Sequence, residues 1–171
     1  MSLKRTLAAF VVLSLASWAP AYVIINDFSN FELGGTFGSW GIPGATFSGP
    51  TTFDIETYPG AGWGGGWHYN WPPIADGSAE TDLELQVLIG EGSSEGGAIV
   101  VLEDGDHTQW VYAWFGLTPG AYTLTRPIGS PSWYGGAGSV PGLDLADLQF
   151  IQLQADFSYT KMSWDNLALT P

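Results

Sequence analysis

The chain contains no cysteine among its 171 residues, which excludes a disulfide framework, a thiolate metal site and a cysteine nucleophile together. Basic residues are scarce as well, with 4 Lys and Arg against 17 Asp and Glu. Such a balance repels phosphate backbones, so nucleic acid is excluded as a partner, while calcium would be attracted. Histidine occurs only at His68 and His107, neither at metal-ligand spacing from another histidine, and a zinc site is not expected. Helical periodicity is missing too. After residue 21 no stretch keeps an apolar repeat of 3.6 through three turns, and no glycine cluster joins a strand to a helix.

Long apolar runs are confined to one place. Leu7 to Ala16 follows Lys4 and Arg5 and leads to Ala19-Pro20-Ala21, the three regions of a secretory signal. The run is shorter than the ~20 residues a spanning helix needs. The expectation is therefore a helical signal peptide over 1–21, cleaved after Ala21, and a mature protein without a membrane span that is secreted or held at the cell surface. Cleavage leaves Arg126 and Lys161 against seventeen acidic residues, a net charge of −15 on 150 residues. A chain of that length suits one domain, 22–171, with a core of its own. The sequence does not give the oligomeric state.

What is present is glycine, at 24 positions, beside 9 Trp, 7 Tyr and 9 Phe. Disordered chains are poor in aromatics, so the glycines read as turns between strands. Period-two alternation predicts nine strands: Tyr22 to Phe28, Gly44 to Phe47, Thr52 to Tyr58, Thr81 to Ile89, Ala98 to Glu103, Thr108 to Phe115, Ala121 to Thr125, Phe150 to Asp156 and Lys161 to Leu169. The segment Gly129 to Gly142, with Trp133 and Tyr134, reads as an ordered surface loop. Together these predict an all-β fold, a two-sheet antiparallel β-sandwich of jelly-roll type, with few or no helices.

Alternation also sorts side chains by face. Leu83, Leu85, Val87 and Ile89 oppose Asp82, Glu84 and Gln86, and Ile151 and Leu153 oppose Gln152, Gln154 and Asp156. In Thr108 to Phe115, Trp110, Tyr112 and Trp114 share one face while Val111, Ala113 and Phe115 share the other. With the smaller set inward, three rings stand in line with Glu84, Gln86, Gln152 and Gln154. Rings flanked by amides and carboxylates suit a sugar, whose C–H face stacks on indole while its hydroxyls need donors and acceptors. The alternative is that the ring row is the core. A second aromatic group, Gly62 to Trp71 with Trp63 and Trp67, reads either as a binding loop or as a glycine-kinked strand covering the end of the core.

Two acidic groups carry their own chemistry. Asp27 and Asp165 would meet if the first and last strands lie side by side, where calcium, a hard cation that takes oxygen ligands, would tie the ends together. Glu80, Asp82 and Glu84 lie two apart on one strand face, the spacing of acid, helper and nucleophile in a retaining β-glucanase. A glycoside hydrolase using Glu80 and Glu84 is thus an alternative to simple binding.

Asp27-Phe28-Ser29-Asn30-Phe31-Glu32, Trp40, Gly62 to Trp67, Asp144 to Ile151 and Ser163-Trp164-Asp165-Asn166-Leu167-Ala168-Leu169 together resemble galactose-binding-like jelly rolls of the carbohydrate-binding-module and complex I intermediate-associated type. The resemblance implies a sandwich of eight or nine strands, a concave sheet that holds ligand, and a structural calcium near the paired termini, at positions matching Asp27 and Asp165. The dense glycine-tryptophan segment departs from that pattern. The function expected is non-catalytic binding of a polysaccharide or other glycan. The competing expectation is a self-associating structural or matrix protein of the cell envelope.

Overall fold

The computed structural model describes residues 23–26, 37–40, 45–48, 52–56, 64–69, 82–136, 142–157 and 159–171. The expected signal segment, Asp27, Trp63 and Glu80 lie outside them. The described residues form twelve strands and a single 3-10 turn at Leu145–Asp147, so the all-β reading holds.

The strands build two antiparallel six-stranded sheets. In the first, β3 (Ala45–Ser48), β4 (Thr52–Glu56), β12 (Lys161–Thr170), β6 (Asp82–Ile89) and β9 (Gly120–Pro127) lie in that order. Here β1 (Val23–Asn26) shares an edge of β12 with β4, pairing at Leu167 to Leu169 where β4 pairs at Lys161 to Trp164. The first and last strands therefore lie side by side, as the sequence reading anticipated. The second sheet runs β10 (Trp133–Gly136), β8 (Thr108–Leu117), β7 (Gly96–Asp104), β11 (Leu148–Phe157), β5 (Gly64–Tyr69) and β2 (Phe37–Trp40).

The inner faces meet in one apolar cluster. Phe53, Ile55, Leu83, Leu85 and Trp164 from the first sheet pack with Val100, Leu102, Tyr112, Ile151 and Leu153 from the second. Each fully buried Leu or Ile contributes roughly 1.5–3 kcal/mol, which is how a chain without disulfides holds two sheets together. Two strands differ from the sequence expectation, and a third decides between its two readings of the glycine-tryptophan segment. Gly64–Tyr69 pairs with both β11 and β2, so the glycine-tryptophan segment contains a strand rather than only a loop. The expected surface loop contains β10, paired along β8, and Phe37–Trp40 forms β2. Glycine lowers strand propensity, and these segments are strands because neighbours with complete ladders accept their backbone hydrogen bonds.

Candidate functional site

The row Trp110, Tyr112, Trp114 is not an open platform. Trp110 is 5% exposed and Tyr112 fully buried, while Trp114 is half-buried against the core. Their cross-strand neighbours explain the inversion: Trp110 stands beside Leu102 and Ile151, and Tyr112 beside Val100 and Leu153, all sealed by the opposing sheet. Alternation separates two sets of side chains without saying which is inward, and the set with more apolar area is buried. Tyr112 donates its hydroxyl proton to the Ile128 carbonyl at 2.8 Å, and burial pushes the phenol above its ordinary range. Trp114 Nε1 donates to the Thr125 carbonyl at 3.2 Å, and Trp110 stacks on Tyr134 with ring centres 5.2 Å apart.

The polar residues grouped with those rings are also divided. Glu84 and Gln86 lie on the outer face of the first sheet, opposite Thr125 and Thr123. Gln152 and Gln154 lie on the outer face of the second, opposite Val101 and Ile99. The core separates the two pairs. Strand period alone could not place β6 and β11 in different sheets, because it says nothing about which strands pair.

Register defines the second sheet's outer face row by row. Phe115, Gly97 and Asp156 make one row, and Ala113, Ile99, Gln154 and Gly65 the next. Trp133, Val111, Val101 and Gln152 follow, with Trp67 next to Gln152 in backbone register, then Gly135, Gln109, Glu103 and Phe150. Ile99, Val101, Ala113 and Phe150 form a small apolar cluster of their own at the centre. At the rim Phe115 is 65% exposed and Trp133 54%.

Each rim ring is seated on a glycine. A Cβ on Gly97 would stand 2.5 Å from the Phe115 ring, and one on Gly135 2.6 Å from the Trp133 ring. The absent side chains let both rings lie against backbone instead of projecting freely. The sequence reading assigned Phe115 to the core and Trp133 to a loop. A signal was present in both cases: Trp133 and Gly135 are two apart, hence on one face, and the glycine pair Gly96-Gly97 opens the strand that receives Phe115.

Polar groups on this face are already oriented. Gln152 Nε2 donates to Gln154 Oε1 at 3.2 Å. Glu103 accepts from Gln109 Nε2 at 2.9 Å, and His107 Nδ1 lies 3.1 Å from its other oxygen. Among the described residues, Lys161 pairs with Glu56 in the first sheet at 3.2 Å, while Arg126 donates at 2.7 Å to the Oγ of Ser132, the residue before Trp133. The face thus offers flat rings, an aliphatic floor, amides and two carboxylates, Glu103 and Asp156. That set can stack and hydrogen-bond a polyol.

Asp165 sits on the outer face of β12 immediately before a bulge at which Asn166 adopts φ 45°. Among the described residues no three acidic or histidine side chains converge as a metal site. Asp82 and Glu84 share the outer face of β6 and are half-buried.

The two-sheet architecture has counterparts among solved structures. A family 11 carbohydrate-binding module from Clostridium thermocellum, solved with a β-1,3-1,4-mixed-linked tetrasaccharide, matches 88% of this chain and 96% of its own, with TM-score 0.56 and 17% identity. The chain has the fold of a carbohydrate-binding module. A family 29 module complexed with cellulohexaose matches 88% of this chain and 90% of its own, at TM-score 0.52 and 14% identity. An exo-β-agarase matches over 87% of this chain at TM-score 0.56 and 11% identity, and the chain spans 25% of that enzyme's length. No protein-family model matches the chain, and no curated protein does.

Proposed function

We propose that this domain binds a polysaccharide non-covalently through the outer face of its second sheet, with Phe115 and Trp133 as stacking rings and Gln152, Gln154, Glu103 and Gln109 as hydroxyl partners. The observation that carries this reading is the pair of exposed rings, each seated on a glycine, at the rim of a sheet whose polar side chains are held in fixed geometry. In backbone register the two rings lie roughly 14 Å apart, wider than one pyranose. The two modules that align over nearly all of their length were solved with a β-1,3-1,4-mixed-linked tetrasaccharide and with cellulohexaose. Trp67 belongs to the same proposal through its register position beside Gln152.

The domain is further proposed to be exported, with its signal removed after Ala21, and to act without breaking bonds. A calcium ion between Asp27 and Asp165 would tie β1 to β12, since the two strands are neighbours. The test is affinity electrophoresis in mixed-linked β-glucan, a soluble cellulose derivative and agarose. Phe115→Ala and Trp133→Ala are each expected to weaken binding by about tenfold, equivalent to about 1.4 kcal/mol, with an unchanged unfolding midpoint. Full retention by the double variant would remove this face from consideration.

A further inference from the structure

The first sheet has an outer face of its own, across the core from Phe115 and Trp133, and it contains a cavity of about 440 Å³. That is within the ~300–1,000 Å³ range of small-molecule sites. Its lining follows from register. Asp165, Gln86 and Thr123 stand in one line across β12, β6 and β9, and Ser163, Leu88 and Ala121 stand in the next. A carboxylate, an amide and a hydroxyl therefore lie beside a hydroxyl and an isobutyl group.

Two departures from ordinary strand grammar coincide here. Asp82, Glu84 and Gln86 set a polar outward row along β6, and the next outward residue is Leu88, 54% exposed. Leu88 thus gives the polar row an apolar end on the solvent side. Opposite Gln86, the bulge in β12 places Asn166 at φ 45°, and its Nδ2 reaches Gln86 Oε1 at 3.5 Å. Bulges re-aim side chains beside binding sites. The amide of Gln86 is thereby held at the line's centre with its own donors directed elsewhere.

No Lys or Arg lines the cavity, so a phosphate, sulfate or uronate finds no counter-charge there. The hydroxyls and amide of the lining suit a ligand rich in hydroxyls, and Leu88 gives such a ligand an apolar contact. We infer that this cavity is a second sugar site, taking an uncharged sugar unit, so that the domain can hold two glycan chains from opposite faces. The bivalence rests on the second-sheet reading, whereas the cavity site stands without it.

The experiment is a titration of the ¹⁵N-labelled protein with cellulohexaose, the mixed-linked tetrasaccharide and a neutral agar oligosaccharide, following backbone amide shifts. Two groups of shifting resonances are expected, one at residues 86–88, 121–123 and 163–166 and one in β7, β8 and β11. Gln86→Ala combined with Thr123→Ala should weaken the first group's response by about tenfold or more and leave the second intact. Shifts in the first sheet alone would sustain the cavity and sink the second-sheet site. Shifts confined to the second sheet, no shifts with any sugar, or an unaltered first-sheet response in the variant would each overturn the cavity site.

Discussion

Asp104 is 2% exposed where β7 ends; its Oδ2 accepts from the Asp144 amide at 3.0 Å while Oδ1 has no partner. Burial raises its carboxyl above the ordinary range, and the neighbouring Asp106 adds to the rise, against a lowering by the Asp144 amide. Asp106 is lowered instead, chiefly because it accepts from Thr108. For Asp104 the sign is set by the folded state holding its proton more tightly than the unfolded chain. Its contribution to stability is present at low pH and is lost as pH rises through the folded value. Asp104→Asn keeps the acceptor for Asp144 and cannot ionise, so it should exceed the parent at pH 7 by about 1–3 kcal/mol, the cost of an unsatisfied buried group, with the gap closing in acid. Urea unfolding at both pH values measures this, and an equal gap at each would dissociate the effect from ionisation. Tyr112→Phe removes the donor to the Ile128 carbonyl and should cost about 1 kcal/mol, read in the same unfolding assay at neutral pH.

At the scale of elements, β10 shows how a strand with little propensity can position a functional ring. Gly135 is buried, and the Trp133 ring occupies the space its Cβ would take. Gly135→Ala should therefore tip the indole off the backbone and weaken glycan binding several-fold, on the order of 1 kcal/mol, while thermal unfolding moves little because the ring is outside the main core. Unaltered affinity would mean that seating on glycine is irrelevant to recognition. Legibility followed the same logic. The long strands β6 and β11 were evident from Leu, Ile and Val at alternate positions, β7 from a continuous apolar run and β8 from its alternating rings, whereas β5, with three consecutive glycines, has no apolar alternation to read and is defined by its pairing with β11. The 3-10 turn at Leu145–Asp147 was likewise unread; Asp144 caps it through the Ala146 amide, a local hydrogen bond in an acidic chain where aspartate is common.

For the molecule as a whole, charge separates the possible ligands. Lys161 is paired with Glu56 on the other sheet, Arg126 reaches Ser132 at the edge of the proposed face, and the face contributes the carboxylates of Glu103 and Asp156. Binding through stacking and neutral hydrogen bonds should change by less than about twofold between low salt and ~1 M salt, where exposed charges are screened beyond about 3 Å. Calorimetric titration across that range measures it, and a steep loss of affinity with salt would point to an anionic polysaccharide. The sequence by itself determined the all-β class, the absence of covalent staples, the acidic surface and the apolar stripe of nearly every long strand, because these follow from composition and a two-residue period. Which stripe of β8 is sealed, and whether Gln86 and Gln152 share a face, were decided only by tertiary structure. The physical reason is that period fixes sides relative to a strand's own axis, while burial depends on which strands pair and on what the opposing sheet places above them.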